Sequence, residues 1–178
     1  MIEIEIKIPD EVEVEKDLDT VKISGPEGKV DFEVDYPGVS FEARGEEVAL
    51  QSTRDRRKPL SVIQTYETKL RNAFEGVTEG WEYTMKAVYS HFPMQVEVKG
   101  GEVEVRNFLG EKHPRSTSVI GDSEVDVSDD EITVSGPDKE HVGQTAANIE
   151  QLTYINDKDI RAFQDGIYIT DKPGKEEV

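Results

Sequence analysis

The segment Phe41-Glu42-Ala43-Arg44-Gly45-Glu46-Glu47-Val48-Ala49-Leu50 alternates apolar and polar residues on either side of a turn at Gly45. The chain writes the same pattern 84 residues later as Val125-Asp126-Val127-Ser128-Asp129-Asp130-Glu131-Ile132-Thr133-Val134. Phe41, Ala43, Glu47, Val48 and Leu50 fall on Val125, Val127, Glu131, Ile132 and Val134. Alternation with a period of two marks a half-buried strand, and two such runs around a polar turn mark a hairpin. Five matches at one offset point to an internal duplication.

Working outward, the same relation recurs. An offset of 82 carries Val21 and Ile23 onto Val103 and Val105. Val21-Ile23 and Val30-Phe32-Val34 flank Gly25-Pro26-Glu27-Gly28. Val96-Val98 and Val103-Val105 flank Lys99-Gly100-Gly101-Glu102. Both read as hairpins with Gly-rich turns. Ile2, Ile4, Ile6 and Ile8 alternate with charged residues and predict an opening strand, ended by Pro9-Asp10. After each repeated hairpin comes a polar loop and one helical stripe. The first is Leu60, Ile63, Tyr66, Leu70 and Phe74, with Pro59 in the opening turn and Gly76 as the closing cap. The second is Val142, Ala146, Ile149, Leu152 and Ile155, between Pro137-Asp138 and Asp157. A final hairpin is predicted across Asp165-Gly166, from Ile160 to Ile169. The expected fold is α+β, with two similar duplicated domains, each an antiparallel sheet with one helix packed on one face. The domains are placed at residues 1–80 and 81–171, with a short tail at 172–178.

The charge is unusual. Thirty-nine acidic residues face 21 basic ones over 178 residues, a formal net charge of −18. Solubility of a small domain needs roughly 2–8 charges of one sign. Residues 1–80 hold 19 acids and 11 bases, and residues 81–178 hold 20 and 10. So even a spread suits adaptation of the whole surface to a high-salt cytoplasm. On charge alone, nucleic acid is a poor partner. No run of apolar residues approaches the 18 needed for a membrane span. Met1-Ile2-Glu3-Ile4-Glu5-Ile6 does not read as a signal peptide. With no cysteine, disulfides, thiolate metal sites and Cys nucleophiles are excluded.

Chemistry-bearing motifs are few. His91, His113 and His141 share no ligand or dyad spacing, and no serine stands in a G-x-S-x-G elbow. His91 reads as packed or hydrogen-bonded. The Gly-rich stretches lack the strand-to-helix context of a phosphate loop. The densest acid, Asp122 to Glu131, lies on an alternating strand whose polar face is best read as solvated. No cofactor and no metal site is expected. Basic residues collect in loops instead: Arg54, Arg56, Arg57 and Lys58 before the first helix, Lys112, His113 and Arg115 in a Gly- and Pro-containing loop, and Lys158 and Arg161 after the second helix. Loops on a rigid scaffold are where recognition residues concentrate.

The segment from Phe74 to Met85, Phe74-Glu75-Gly76-Val77-Thr78-Glu79-Gly80-Trp81-Glu82-Tyr83-Thr84-Met85, runs on into Val88-Tyr89-Ser90-His91-Phe92-Pro93. Together these resemble the central segment of the large-subunit ribosomal protein L-six family of archaea and eukaryotes. Asn107-Phe108-Leu109-Gly110-Glu111-Lys112, the helix segment Val142 to Gln151, and Asn156-Asp157-Lys158-Asp159-Ile160-Arg161-Ala162-Phe163-Gln164-Asp165-Gly166-Ile167-Tyr168 resemble it as well. The likeness spans about residues 1–172. It implies two similar α+β domains and a structural, non-enzymatic role in the cytoplasm, within the large ribosomal subunit. It also implies binding to large-subunit ribosomal RNA near the translation-factor-binding region, beside neighbouring ribosomal proteins and with no membrane or small-molecule substrate. The acidity suits a haloarchaeal member. Where the family signature closes on a basic residue, this chain has Asp171, with Lys172 beside it. The RNA contacts expected are Lys112, His113, Arg115, Gln144, Thr145, Lys158, Arg161 and Lys172, mostly in the second domain. Lys112 and Arg115 are expected to reach phosphates from one loop. A secondary contact with RNA or protein is the expectation for Arg54, Arg56, Arg57 and Lys58. Two other readings of the same residues are a cation-binding protein and a protein-only adaptor of a halophilic cytoplasm.

Overall fold

The structure is a computed structural model that describes residues 2–53 and 57–174, with Arg57 described by its backbone alone. The chain forms two compact units. Unit 1 comprises Met1–Gly80 with Pro137–Lys139, and unit 2 comprises Trp81–Gly136 with Glu140–Val178.

Unit 1 runs through strands β1 (Ile2–Lys7), β2 (Glu13–Asp17), β3 (Thr20–Gly25), β4 (Gly28–Glu33), β5 (Val39–Arg44) and β6 (Glu47–Ser52), then helix α1 (Arg57–Thr78). The strands divide between two antiparallel three-stranded sheets, ordered β1-β6-β5 and β2-β3-β4. Helix α1 packs against strands of both. Alternation sends Ile6, Val21, Ile23, Phe41, Val48 and Leu50 inward, where they meet Ile63, Leu70, Phe74 and Val77 of α1. The helix differs from expectation at both ends of its stripe. Leu60 is half-exposed. Gly76 does not end the helix, because Val77 beyond it is fully buried and anchors a further half-turn. The reversal comes at Gly80, which has φ +79° and donates its N–H to the Gly76 carbonyl at 3.0 Å.

Unit 2 repeats the plan with β7 (Trp81–Val88), β8 (Gln95–Lys99), β9 (Glu102–Arg106), β10 (Arg115–Ser118), β11 (Glu124–Ser128), β12 (Glu131–Gly136) and α2 (Lys139–Leu152). One sheet is ordered β10-β9-β8. The other is β11-β12-β7, extended on the far side of β7 by β13 (Gly166–Asp171). Its core joins Trp81, Met85, Val103, Val105, Phe108, Ile132 and Val134 to Val142, Ala146 and Ile149 of α2.

Two expectations change in unit 2. Helix α2 stops at Leu152, so Ile155 lies beyond it. Thr153 closes the end: its hydroxyl donates to Glu150 O at 3.2 Å and accepts the Ile167 N–H at 2.8 Å. Nor does Asp165-Gly166 make a hairpin. Residues 160–165 form no strand, and β13 pairs with β7 instead. β7 already offers a free edge there, so Ile167 gains a buried place on that edge that a local hairpin would not give it. No described helix is long and apolar enough to cross a membrane.

Candidate nucleic-acid interface

Unit 2 gathers most of the predicted contacts at one end, and the segment between β9 and β10 explains how. Asn107, Leu109 and Gly110 all take positive φ, at 57°, 51° and 74°. A leucine in the left-handed region costs of order 1 kcal/mol and persists only when its surroundings hold it. Here the hold is visible. Phe108 is fully buried, and Leu109 packs against the same core. The Asn107 side-chain amide donates to Pro93 O at 3.0 Å. The Phe92 ring lies so close to Gly110 that a Cβ there would sit 3.1 Å from it. Glu111, Lys112, His113 and Pro114 then run exposed to solvent.

Arg115 locks this loop down. It opens β10 rather than lying in a loop, and its guanidinium is already engaged. Nε and Nη2 make a two-pronged contact with the Glu111 carboxylate at 2.9 and 2.6 Å. Nη1 donates to Leu152 O at 2.8 Å and to Tyr154 O at 3.5 Å. The guanidinium carbon stands 4.6 Å from the centre of the Phe108 ring. The planar fork that makes arginine a good phosphate ligand is spent inside the protein. The expectation that Arg115 reaches a phosphate gives way to a different role: it ties the loop to the end of α2. The hydrogen bond from Arg115 holds the Glu111 carboxyl below its ordinary range. Partial burial opposes that, and the positive charges of Arg115 and Lys158 add to it. The Lys158 charge is the smallest of these causes. The Lys158 ammonium lies 4.8 Å from the Phe163 ring centre.

The remaining predicted residues sort by their surroundings. Lys112, His113, Lys158 and Arg161 are exposed, and none forms a salt bridge among the described residues. The Arg161 N–H donates to the Asp159 carboxylate at 2.9 Å, which shapes the turn that carries it. Gln144 is exposed on α2, and its amide donates to Asn148 at 2.8 Å. Thr145 is fully buried. Its hydroxyl donates to His141 O at 2.8 Å and accepts the Ile120 N–H at 3.1 Å, and its side chain offers no surface to a ligand. Lys172 is exposed just past β13. Lys58 is exposed in the first turn of α1. Arg54, Arg56 and the side chain of Arg57 lie outside the described residues. His91 is exposed, not packed.

Sequence reasoning missed the residues that build the end. Phe108 and Leu109 read as part of a family motif, but nothing in their spacing shows that one is a core anchor and the other strained. The acidic run keeps its polar face in water: Glu124, Asp126 and Ser128 are exposed while Val125 and Val127 are half-buried. No group of three or more His, Asp or Glu among the described residues is placed to hold a metal ion.

Comparison with known proteins adds an independent line. The sequence profile of the family described as ribosomal protein L6 matches residues 92–166, which takes in Lys112, His113, Arg115, Lys158 and Arg161. The large ribosomal subunit protein uL6 of Haloarcula marismortui is 51% identical over 175 residues, covering 98% of each chain. That of Natronomonas pharaonis is 51% identical over 174 residues, again 98% of each. That of Methanosarcina mazei is 47% identical over 167 residues, 94% of this chain and 95% of its own.

Proposed function

This chain belongs to the ribosomal protein L6 family and is a structural, non-enzymatic constituent of the large ribosomal subunit; we propose that it holds its place there by binding large-subunit ribosomal RNA through the loop end of unit 2, near the translation-factor-binding region. The observation that carries this reading is the Arg115 clamp. It ties the loop bearing Lys112 and His113 to Leu152 and Tyr154, where the segment that runs on to Lys158 and Arg161 begins. Lys112, His113, Lys158 and Arg161, exposed and without a salt bridge among the described residues, are then carried by two segments joined through one clamp, in a chain of net charge −18. Phosphate contacts of this kind fix position rather than read sequence. The site beside the factor-binding region rests on the family resemblance. In unit 1, Lys58 and its basic neighbours make a secondary contact with RNA or a neighbouring protein.

The test is assembly. Large subunits are sedimented in molar potassium chloride from cells carrying Lys112→Glu or Asp126→Lys. Lys112→Glu should deplete the protein from the subunit, and Asp126→Lys, on the solvated acidic face, should not. Equal depletion by both would refute the proposed surface.

A further inference from the structure

The same end carries a second signature that phosphate binding leaves unused. Tyr89, Phe92, Tyr154 and Tyr168 are the aromatic residues among the large apolar side chains exposed in the described residues, and all four belong to unit 2. Their segments are stitched together. The Ser90 N–H points at the Asp165 carboxylate at 3.5 Å, and Phe92 stacks over Gly110. Arg115 holds the Tyr154 carbonyl, and the Tyr168 hydroxyl donates to Gln164 O at 3.0 Å. Tyr154 is the extreme case, 68% exposed immediately after the end of α2.

Apolar area of this kind, clustered on an otherwise charged surface, marks an interaction site. Local charge indicates the partner. Residues 88–93, 106–115 and 152–168 carry five basic and four acidic residues, net +1, while the whole chain is −18. Glu111 and Arg115 bind each other, Arg106 pairs with Glu104 and Asp165 is buried, which leaves Lys112, Lys158 and Arg161 exposed beside Asp157 and Asp159. What faces outward is therefore a set of aromatic rings with three cations and two acids beside them, on a chain where acids otherwise outnumber bases; the Tyr89 hydroxyl donates to Asp130, so Phe92 and Tyr154 are the rings left beside the cations. A continuous RNA duplex keeps its base faces inside its own stack and offers only phosphates, hydroxyls and groove edges. Exposed rings have nothing to stack on there. Unpaired nucleotides offer both base faces and phosphates, which is the combination that single-strand-binding surfaces use.

Resting on the RNA reading above, we propose that this end takes unpaired ribosomal RNA nucleotides, a loop or bulge, with bases stacked on Tyr154 and Phe92 and phosphates at Lys112 and Lys158. Stacking also answers the salt problem. Counterion release contributes little in molar salt, whereas ring-on-base contact is not screened.

The test measures binding of the full chain to protein-free large-subunit ribosomal RNA in molar potassium chloride. Tyr154→Ala should bind roughly tenfold more weakly. Tyr154→Phe should bind as the parent does, and neither should change the dependence on salt. Ultraviolet cross-linking of native large subunits should join Tyr154 or Phe92 to nucleotides that react as unpaired in the free RNA. If Tyr154→Ala binds normally while Lys112→Glu weakens binding, the surface sits on a duplex and the stacking proposal falls. Cross-links from Tyr154 to another protein would overturn it too. If neither variant affects RNA binding, the RNA reading of this end fails, and this inference with it.

Discussion

The two units share a plan, so one can be subtracted from the other. β1 to β6 and α1 correspond in order and pairing to β7 to β12 and α2. What unit 2 has in addition is the stretch between β9 and β10, residues 107–114, and everything after α2, ending in β13. Those two additions hold Lys112, His113, Lys158 and Arg161, and two of the four exposed aromatic residues, Tyr154 and Tyr168. In unit 1 the equivalent connection, between β3 and β4, is a tight turn folded onto the end of α1. The Glu27 N–H donates to Val77 O at 2.8 Å, and a Cβ on Gly25 would meet that carbonyl at 2.6 Å, so only glycine fits. In unit 2 the carbonyl at the helix end, Leu152 O, is satisfied by the Arg115 side chain instead. A helix leaves its last carbonyls without partners in either case. A backbone turn meets that need with a short connection. A long side chain meets it from a distance, which frees the connection to lengthen and carry an exposed basic loop. The scaffold is common to both halves, and the proposed RNA contacts lie in what one of them adds to it.

The comparison breaks most visibly at Phe108, the anchor of the added loop, which has no counterpart in the tight turn of unit 1. Phe108→Ala should cost about 3–5 kcal/mol of unit 2 stability, the range for emptying a buried aromatic site. Trp81 is the only tryptophan, is buried, and shares a core with Phe108, so its fluorescence reports unit 2 in a denaturant titration. An unchanged midpoint would mean that the loop is not anchored as described. Next in size is Arg115→Ala. It strands the Leu152 carbonyl and the Glu111 carboxylate and should cost about 2 kcal/mol by the same readout. Arg115→Lys should recover little of this, since an ammonium cannot span carboxylate, carbonyl and ring together. Full recovery by lysine would reduce the clamp to a simple charge.

The scaffold was legible in the sequence because strand alternation is a strong signal. Every hairpin in the repeated pattern formed, from Val21 to Val34 and from Val125 to Val134. Helix ends were less so. Gly76 looked like a cap, yet burial of Val77 outweighs the preference of glycine for a terminus. The Asp-Gly pair at 165–166 signalled a hairpin, but a free edge on β7 offered better pairing. At the candidate site, composition gave the cations and could not give their partners. Lys112 and Arg115 look alike in a sequence, three residues apart. One is exposed and makes no ion pair among the described residues, and the other is caged by Glu111, Leu152 and Phe108, residues from 7 positions before it to 37 after it. Only the fold separates an exposed cation from a structural one.

The smallest expected effect is also the sharpest on whether the halves act separately. Glu111 has its carboxyl pKa lowered by Arg115, so the folded state holds fewer protons there than the unfolded chain does. The stabilisation is present above the ordinary carboxylate range and is lost as pH falls through it to the lowered value. Glu111→Gln removes the charge and should cost less than about 1 kcal/mol at neutral pH, given the exposure of the pair. In acid the deficit should close, because the parent then protonates Glu111 as well. Unit 1 has its own lowered carboxyl, Glu3, hydrogen-bonded by Gln51 and paired with Arg44. Glu3→Gln should leave the Trp81 titration where it was. If Glu3→Gln moves that titration as far as Glu111→Gln does, the two units unfold as one, and what was grafted onto the second half is stabilised by both.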